Sequence, residues 1–206
     1  GRDRFWHPDY EVMSGITSEH PEMVLLDVVK PIVICNNRFR CDRGWDIDLD
    51  DGSSNYHIYN NLCLNGGIKL REGFYRTVEN NILVNNTFHP HVWFGNSGDV
   101  FARNVVMAPY KPIQVKSWGL EVDYNIFADS TSLRYARSNG TDLHSIVDEV
   151  VFADPESGDF TLSDASLAIV EGGFRNFPMD EFGVTSPRLK RMASKPRMPK
   201  VVSAVY

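Results

Sequence analysis

The chain has 206 residues, 42% hydrophobic and 23% charged, enough for one sizeable domain and too few for two. No apolar stretch approaches the ~20 residues that span a bilayer, so no membrane association is expected. The net charge is -6, yet residues 186–200 are basic and hold no acid, leaving an acidic body that repels phosphates and argues against a nucleic-acid partner.

Residues 1–30 read as an N-terminal cap or overhang. Within them DRFWHPDYEVMSGITSEHPEMVLLD (3–27) contains two Pro-initiated segments with roughly helical spacing. The opening residues lack a basic, apolar and small-residue leader pattern, so a secretion signal is expected to be absent or already removed.

From residue 31 to 175 the chain repeats itself. VICNNRF (33–39), HIYNNLC (57–63), TVENNIL (77–83), FARNVVM (101–107) and VDYNIFA (122–128) each carry an Asn followed by apolar residues. The last Asn of each unit is Asn37, Asn61, Asn81, Asn104 and Asn125, a period of about 22 residues that fits one coil of a parallel β-helix. The units are rich in Val, Ile, Tyr and Phe, as strands are. Asn suits the tight turn between strands of one coil, because it tolerates left-handed geometry and bonds nearby backbone. Stacked turns predict a ladder of side-chain amides. A β-sandwich has similar strand spacing, but the sharp two-residue hairpin signals it needs are missing between most units. The expected fold is all-β: a right-handed parallel β-helix of five to six coils, short enough to be the C-terminal part of a longer protein.

Each coil is expected to carry a further strand after its Asn turn, and side chains along it alternate in and out. In GWDIDLDDG (44–52), Ile47 and Leu49 point inward and Asp46, Asp48 and Asp50 outward. In GGIKLREG (66–73), Lys69 and Arg71 point outward; in HPHVWFG (89–95), His91 and Trp93; in KPIQVKSWG (111–119), Gln114 and Lys116. Stacked in that register, one column reads Asp48, Lys69, Trp93, Gln114 and its neighbour Asp50, Arg71, Lys116, with His91 beside Asp46. A slip in register turns side chains over and sends Trp93 into the core. Asp51 adjoins the acidic run, and Glu72 closes the next strand. His57, His89 and His91 do not match a zinc pattern, and His7, His20 and His144 carry no signal. The three cysteines Cys35, Cys41 and Cys63 have no metal-ligand spacing; Cys35 and Cys63 read as small buried hydrophobes.

Residues 151–174 (VFADPESGDFTLSDASLAIVEGGF) read as a final, shorter rung, and residues 176–206 as a basic, Pro-rich tail lying along the acidic body.

The run GWDIDLDDGSSNYHIYNNLCLNGGIKLREGFYRTVENNILVNNTFHPHVWF resembles the right-handed parallel β-helix proteins of carbohydrate-degrading bacteria. Many of these are classed as glycoside hydrolases, and the pectate-lyase-like enzymes share their architecture. The closing VFADPESGDFTLSDASLAIVEGGF is similar to their final coil, and the likeness covers about residues 30–180. It implies an outer-face groove for a polysaccharide and acidic catalytic residues on neighbouring coils.

The leading expectation is therefore hydrolysis of a glycosidic bond by two carboxyl groups. Asp48 and Asp50 are the chosen pair, with Asp46, Asp51 and Glu72 competing; Lys69, Arg71, His91, Trp93, Gln114 and Lys116 would bind the sugar. Alternate carboxylates on one strand lie ~6.5–7 Å apart, closer to the inverting than the retaining range. No cofactor is needed for this reaction. A polysaccharide lyase is the alternative, with Ca²⁺ held by Asp46, Asp48 or Asp50 and Lys69 or Arg71 as base. A non-catalytic carbohydrate-binding β-helix is the third reading. Polysaccharides are met outside the cytoplasm, so a secreted or periplasmic protein is expected.

Overall fold

The computed structural model describes residues 8–26, 28–193 and 197–202. His7, and the portions of the expected cap and tail at 1–7, 27, 194–196 and 203–206, lie outside the described residues.

The repeat is a parallel β-helix. Its first sheet stacks β1 (Ile32–Cys35), β4 (Tyr56–Tyr59), β7 (Arg76–Glu79), β10 (Val100–Ala102) and β12 (Glu121–Asp123), all parallel. The second stacks the six two-residue strands β2 (Arg38–Phe39), β5 (Leu62–Cys63), β8 (Ile82–Leu83), β11 (Val105–Val106), β13 (Ile126–Phe127) and β14 (Ile146–Val147). The third stacks β3 (Ile47–Leu49), β6 (Ile68–Leu70) and β9 (Phe88–Pro90), extended by a bridge from His91 to Ile113.

Between the first and second sheets the chain turns at an Asn in each of the first five coils, and Ser145 takes that place before β14. The ladder is continuous: the Asn61 backbone N–H and side-chain amide donate to Asn81 Oδ1 at 2.9 and 3.0 Å, and Asn81 donates likewise to Asn104 at 3.0 and 2.9 Å. Asn37 joins it above Asn61 and Asn125 below Asn104. The left-handed residue of each corner is the one before the ladder Asn. Asn36, Asn60, Asn80, Arg103 and Tyr124 have φ between 53° and 57°. The ladder position thus selects Asn for its amide, and the strained backbone falls on its neighbour.

The inner core is lined by one side of all three sheets, including Ile58, Cys63, Ile68, Val78, Leu83, Phe88, Phe101, Val106 and Phe127. From β5 to β13 the second sheet is buried on both faces. Leu62, Ile82, Val105 and Ile126 point outward into a second cluster with Phe152, Phe160, Leu162, Ala168 and Phe174. This corrects the expectation for residues 151–174. They form an antiparallel hairpin, β15 (Phe152–Asp154) and β16 (Asp159–Leu162), and a short helix (Leu167–Val170) laid over the second sheet. The last parallel strand among the described residues is β14. Covering the sheet removes its apolar outer face from water, which explains why its strands are apolar at every second-sheet position from Leu62 to Phe127.

The N-terminal segment contains a helix, α1 (Pro8–Glu19), and a 3₁₀ turn (Pro21–Leu25). Ser14 and Ser18 hydrogen-bond Asn96 at 2.8 Å each, so α1 overhangs the side of the solenoid. The tail runs along the body at Asn85, whose side chain bonds the Lys200 carbonyl and the Val202 N–H. All three cysteines are free.

Candidate functional site

The third sheet brings most of the acidic run, Lys69, Arg71 and two histidines onto one outer face. Ile47 pairs with Ile68 and then with Phe88, so the outward columns are Asp48–Lys69–His89 and, two residues on, Asp50–Arg71–His91–Ile113. The expected register matched Val92 to Ile68 and is four residues out.

Three corrections follow from the shift. Trp93 is wholly buried, with Nε1 donating to the Leu70 carbonyl at 2.9 Å and its ring edge-on to Phe88. It cannot stack on a ligand. Val92 just before it has φ 54°, and that left-handed corner ends the in–out alternation. Gln114 and Lys116 also leave their expected columns, because Ile113 stands opposite His91. Gln114 sits in a left-handed turn of the next coil (φ 49°), and Lys116 is exposed two residues beyond it.

Asp46 is a structural carboxylate. It accepts backbone N–H groups from Cys41 (2.6 Å), Gly66 (2.7 Å), Gly67 (3.1 Å) and Asn65 (3.2 Å), tying the first coil to the turn of the second. That turn needs glycine, since a Cβ on Gly67 (φ +68°) would lie 2.0 Å from the Thr87 carbonyl oxygen. Burial raises the Asp46 carboxyl above its ordinary range despite these bonds.

The centre of the face is Lys69. Its side chain is only 5% exposed, and Nζ lies 2.9 Å from Asp48, 3.1 Å from Asp50 and 4.2 Å from the centre of the Trp45 ring. It is a fixed internal cation and not a free arm for substrate. Asp48 and Asp50 are each 42% exposed, so both carboxylates reach solvent from a common anchor. Arg71 lies 3.1 Å from Asp50, 3.0 Å from Asp51 and 2.7 Å from Glu72. Asp51 is 81% exposed at the rim, and Glu72 is buried beneath the guanidinium. Burial alone would raise the Asp50 carboxyl, but hydrogen bonds from Lys69 and Arg71 outweigh it and hold the group below its usual range.

Two neutral imidazoles complete the face. Burial and the nearby cations push His89 down to about 3 and His91 to about 4. His89 Nε2 is 2.8 Å from Asn86 Oδ1, whereas His91 Nε2 is buried and has no hydrogen-bond partner among the described residues. Trp45 meets both rings edge-on at about 6 Å.

Comparison finds no matching protein family, curated protein or solved structure. The site is therefore read from its own geometry.

Trp45 and His89 were missed by the sequence reading, though a signal for His89 existed. Ile68 lies seven residues after Asn61 and Phe88 seven after Asn81, so counting from the ladder gives the correct pairing and places His89 beside Lys69. The donor set suggested for calcium does not fit. Asp46 is committed to backbone N–H groups, and the Lys69 ammonium stands where a cation would bridge Asp48 and Asp50.

Proposed function

We propose that this protein hydrolyses glycosidic bonds in a polysaccharide or oligosaccharide laid across the third sheet, with Asp48 and Asp50 as the reacting carboxyl groups. The observation that carries the reading is the shared anchor: two solvent-open carboxylates on one strand are held by a single buried ammonium. Asp50, kept ionised by Lys69 and Arg71, attacks the anomeric carbon, while Asp48, which must first take up a proton from solvent as substrate binds, passes it to the leaving oxygen as the glycosidic bond breaks. Water then releases the glycosyl group from Asp50, with Asp48 taking its proton. The two anchored oxygens can be no further apart than their combined distances to Nζ, 2.9 and 3.1 Å. That favours the retaining spacing of ~5–5.5 Å over the inverting ~6.5–9.5 Å. Lys69 and Arg71 position the acids, and Trp45 takes the part first given to Trp93, offering an indole beside the polar groups. A right-handed winding and a secreted or periplasmic location belong to the same proposal.

One observation favours a lyase as the second reading. His91 is a neutral imidazole beside two cations with an unpartnered Nε2, the group on this face placed to take a proton α to a uronic carboxylate, but a pKa of about 4 makes it a weak base and ranks this reading behind hydrolysis. Lys69 and Arg71, being paired with carboxylates, do not serve as that base. The test is a screen of the purified protein on plant and algal polysaccharides, reading new reducing ends and ultraviolet absorbance together. Reducing ends without absorbance support hydrolysis. Absorbance from an unsaturated product would replace it with elimination, and silence on every substrate would leave a binding module.

A further inference from the structure

A groove of ligand size lies away from the third sheet. It has a volume of about 760 Å³, within the usual ~300–1,000 Å³ of ligand sites. Its floor is the outer face of the first sheet. Alternation along β4 sends Ile58 into the core and leaves His57 and Tyr59 outside, their ring centres 4.5 Å apart. On the next coil Glu79 pairs with Tyr59 in register. Its carboxylate bonds His57 at 2.9 Å and Arg103 at 3.0 Å, so three coils are tied by one acid whose charge is answered within the groove.

The wall is supplied by residues 173–176. Asn80 fixes it by accepting the Arg175 N–H at 2.7 Å and donating to the Arg175 carbonyl at 2.9 Å. This clamp sets the Arg175 side chain at the groove's edge. Arg175 is exposed and makes no ion pair among the described residues, so it is the uncompensated cation of this cleft.

We propose that this groove is a second saccharide site, selective for an acidic sugar. The ring of a uronic acid residue would lie against Tyr59 and His57, and its carboxylate would meet the guanidinium of Arg175. The proposal goes beyond the hydrolase reading and stands without it, because it uses a different sheet and none of the residues of the third-sheet face.

The test is calorimetric titration of a galacturonic acid trimer into the Asp50→Asn protein, which prevents turnover from obscuring the heat of binding. Arg175→Ala on that background should weaken binding about tenfold or more, the loss of one charge-assisted pair. Tyr59→Ala should weaken it too, and a glucose trimer should bind far less. Because Arg175 is exposed, its variant should melt with the parent, which separates lost binding from lost fold. Unchanged affinity in both variants, equal binding of the neutral trimer, or no heat from the acidic trimer would each overturn the proposal. So would binding that is abolished by Trp45→Ala and untouched by Arg175→Ala, which would move the ligand to the third sheet.

Discussion

Replacing Asn81 by Ala tests the ladder where it is most buried. The side chain has no solvent exposure and makes five hydrogen bonds. Its oxygen accepts from the Asn61 backbone N–H and amide; its amide donates to the carbonyls of Ile58 (3.0 Å) and Glu79 (2.9 Å) and to Asn104. The Asn61 amide keeps partners at Ile34 and Tyr59, but the Asn61 backbone N–H is left buried without one. At ~1 kcal/mol for a typical lost bond and ~1–3 kcal/mol for an orphaned buried group, the substitution should cost about 3–5 kcal/mol. For a domain of this size that corresponds to a fall in melting temperature of about 6–20 °C. Asn37 is the control. It is half-buried at the end of the ladder, and Ala there removes only its amide bonds to Cys35 and Asn61, costing about 1–2 kcal/mol. Urea unfolding of the two variants, followed by circular dichroism, measures both. A cost below about 1 kcal/mol for Asn81→Ala, or equal costs at the two positions, would refute the ladder as a source of stability.

The two tryptophans should behave oppositely. Trp93→Ala opens the core and should cost about 3–5 kcal/mol, read by urea unfolding, whereas Trp45→Ala should weaken oligosaccharide binding at the third sheet and cost less stability; equal destabilisation would contradict the register. His89 and His91 have folded pKa values of about 3 and 4, below the ordinary 6.5, so the unfolded chain binds more protons between those limits. Stability is then full above about 6.5 and is lost as pH falls toward 3–4, and the His89→Gln, His91→Gln double variant should flatten that slope in urea midpoints taken at several pH values. Gly67→Ala should abolish soluble folded protein, because its Cβ meets the Thr87 backbone and its φ is left-handed; a well-folded variant by circular dichroism would contradict the turn.

The solenoid was legible because its constraint recurs. An amide recurs at the same corner of five successive coils, so Asn appears with the coil period whatever the loops do. The face of the third sheet was only half legible. Asp48 and Asp50 stood out from Ile47 and Leu49 by alternation, and their pairing with Lys69 and Arg71 followed from the next coil. Trp93 was misplaced because Val92 takes a left-handed corner, and alternation does not survive such a corner. Asp46 looked like its neighbours in sequence, yet it faces the backbone of a turn, an arrangement set by the close approach of Gly66 and Gly67. The hairpin over the second sheet was hidden for another reason. Its apolar residues alternate like those of a rung, and only the outward-facing Leu62, Ile82, Val105 and Ile126 betray that a cover is required.

The most direct test of the third-sheet site is the initial rate of Asp50→Asn on whichever saccharide the wild-type protein cleaves, with the melting temperature measured on the same sample. The account predicts a loss of at least about 100-fold in kcat/KM with the fold intact, since the substitution removes the ionised carboxylate and leaves its shape. A folded Asp50→Asn protein that keeps its activity within a few-fold of wild type would contradict it.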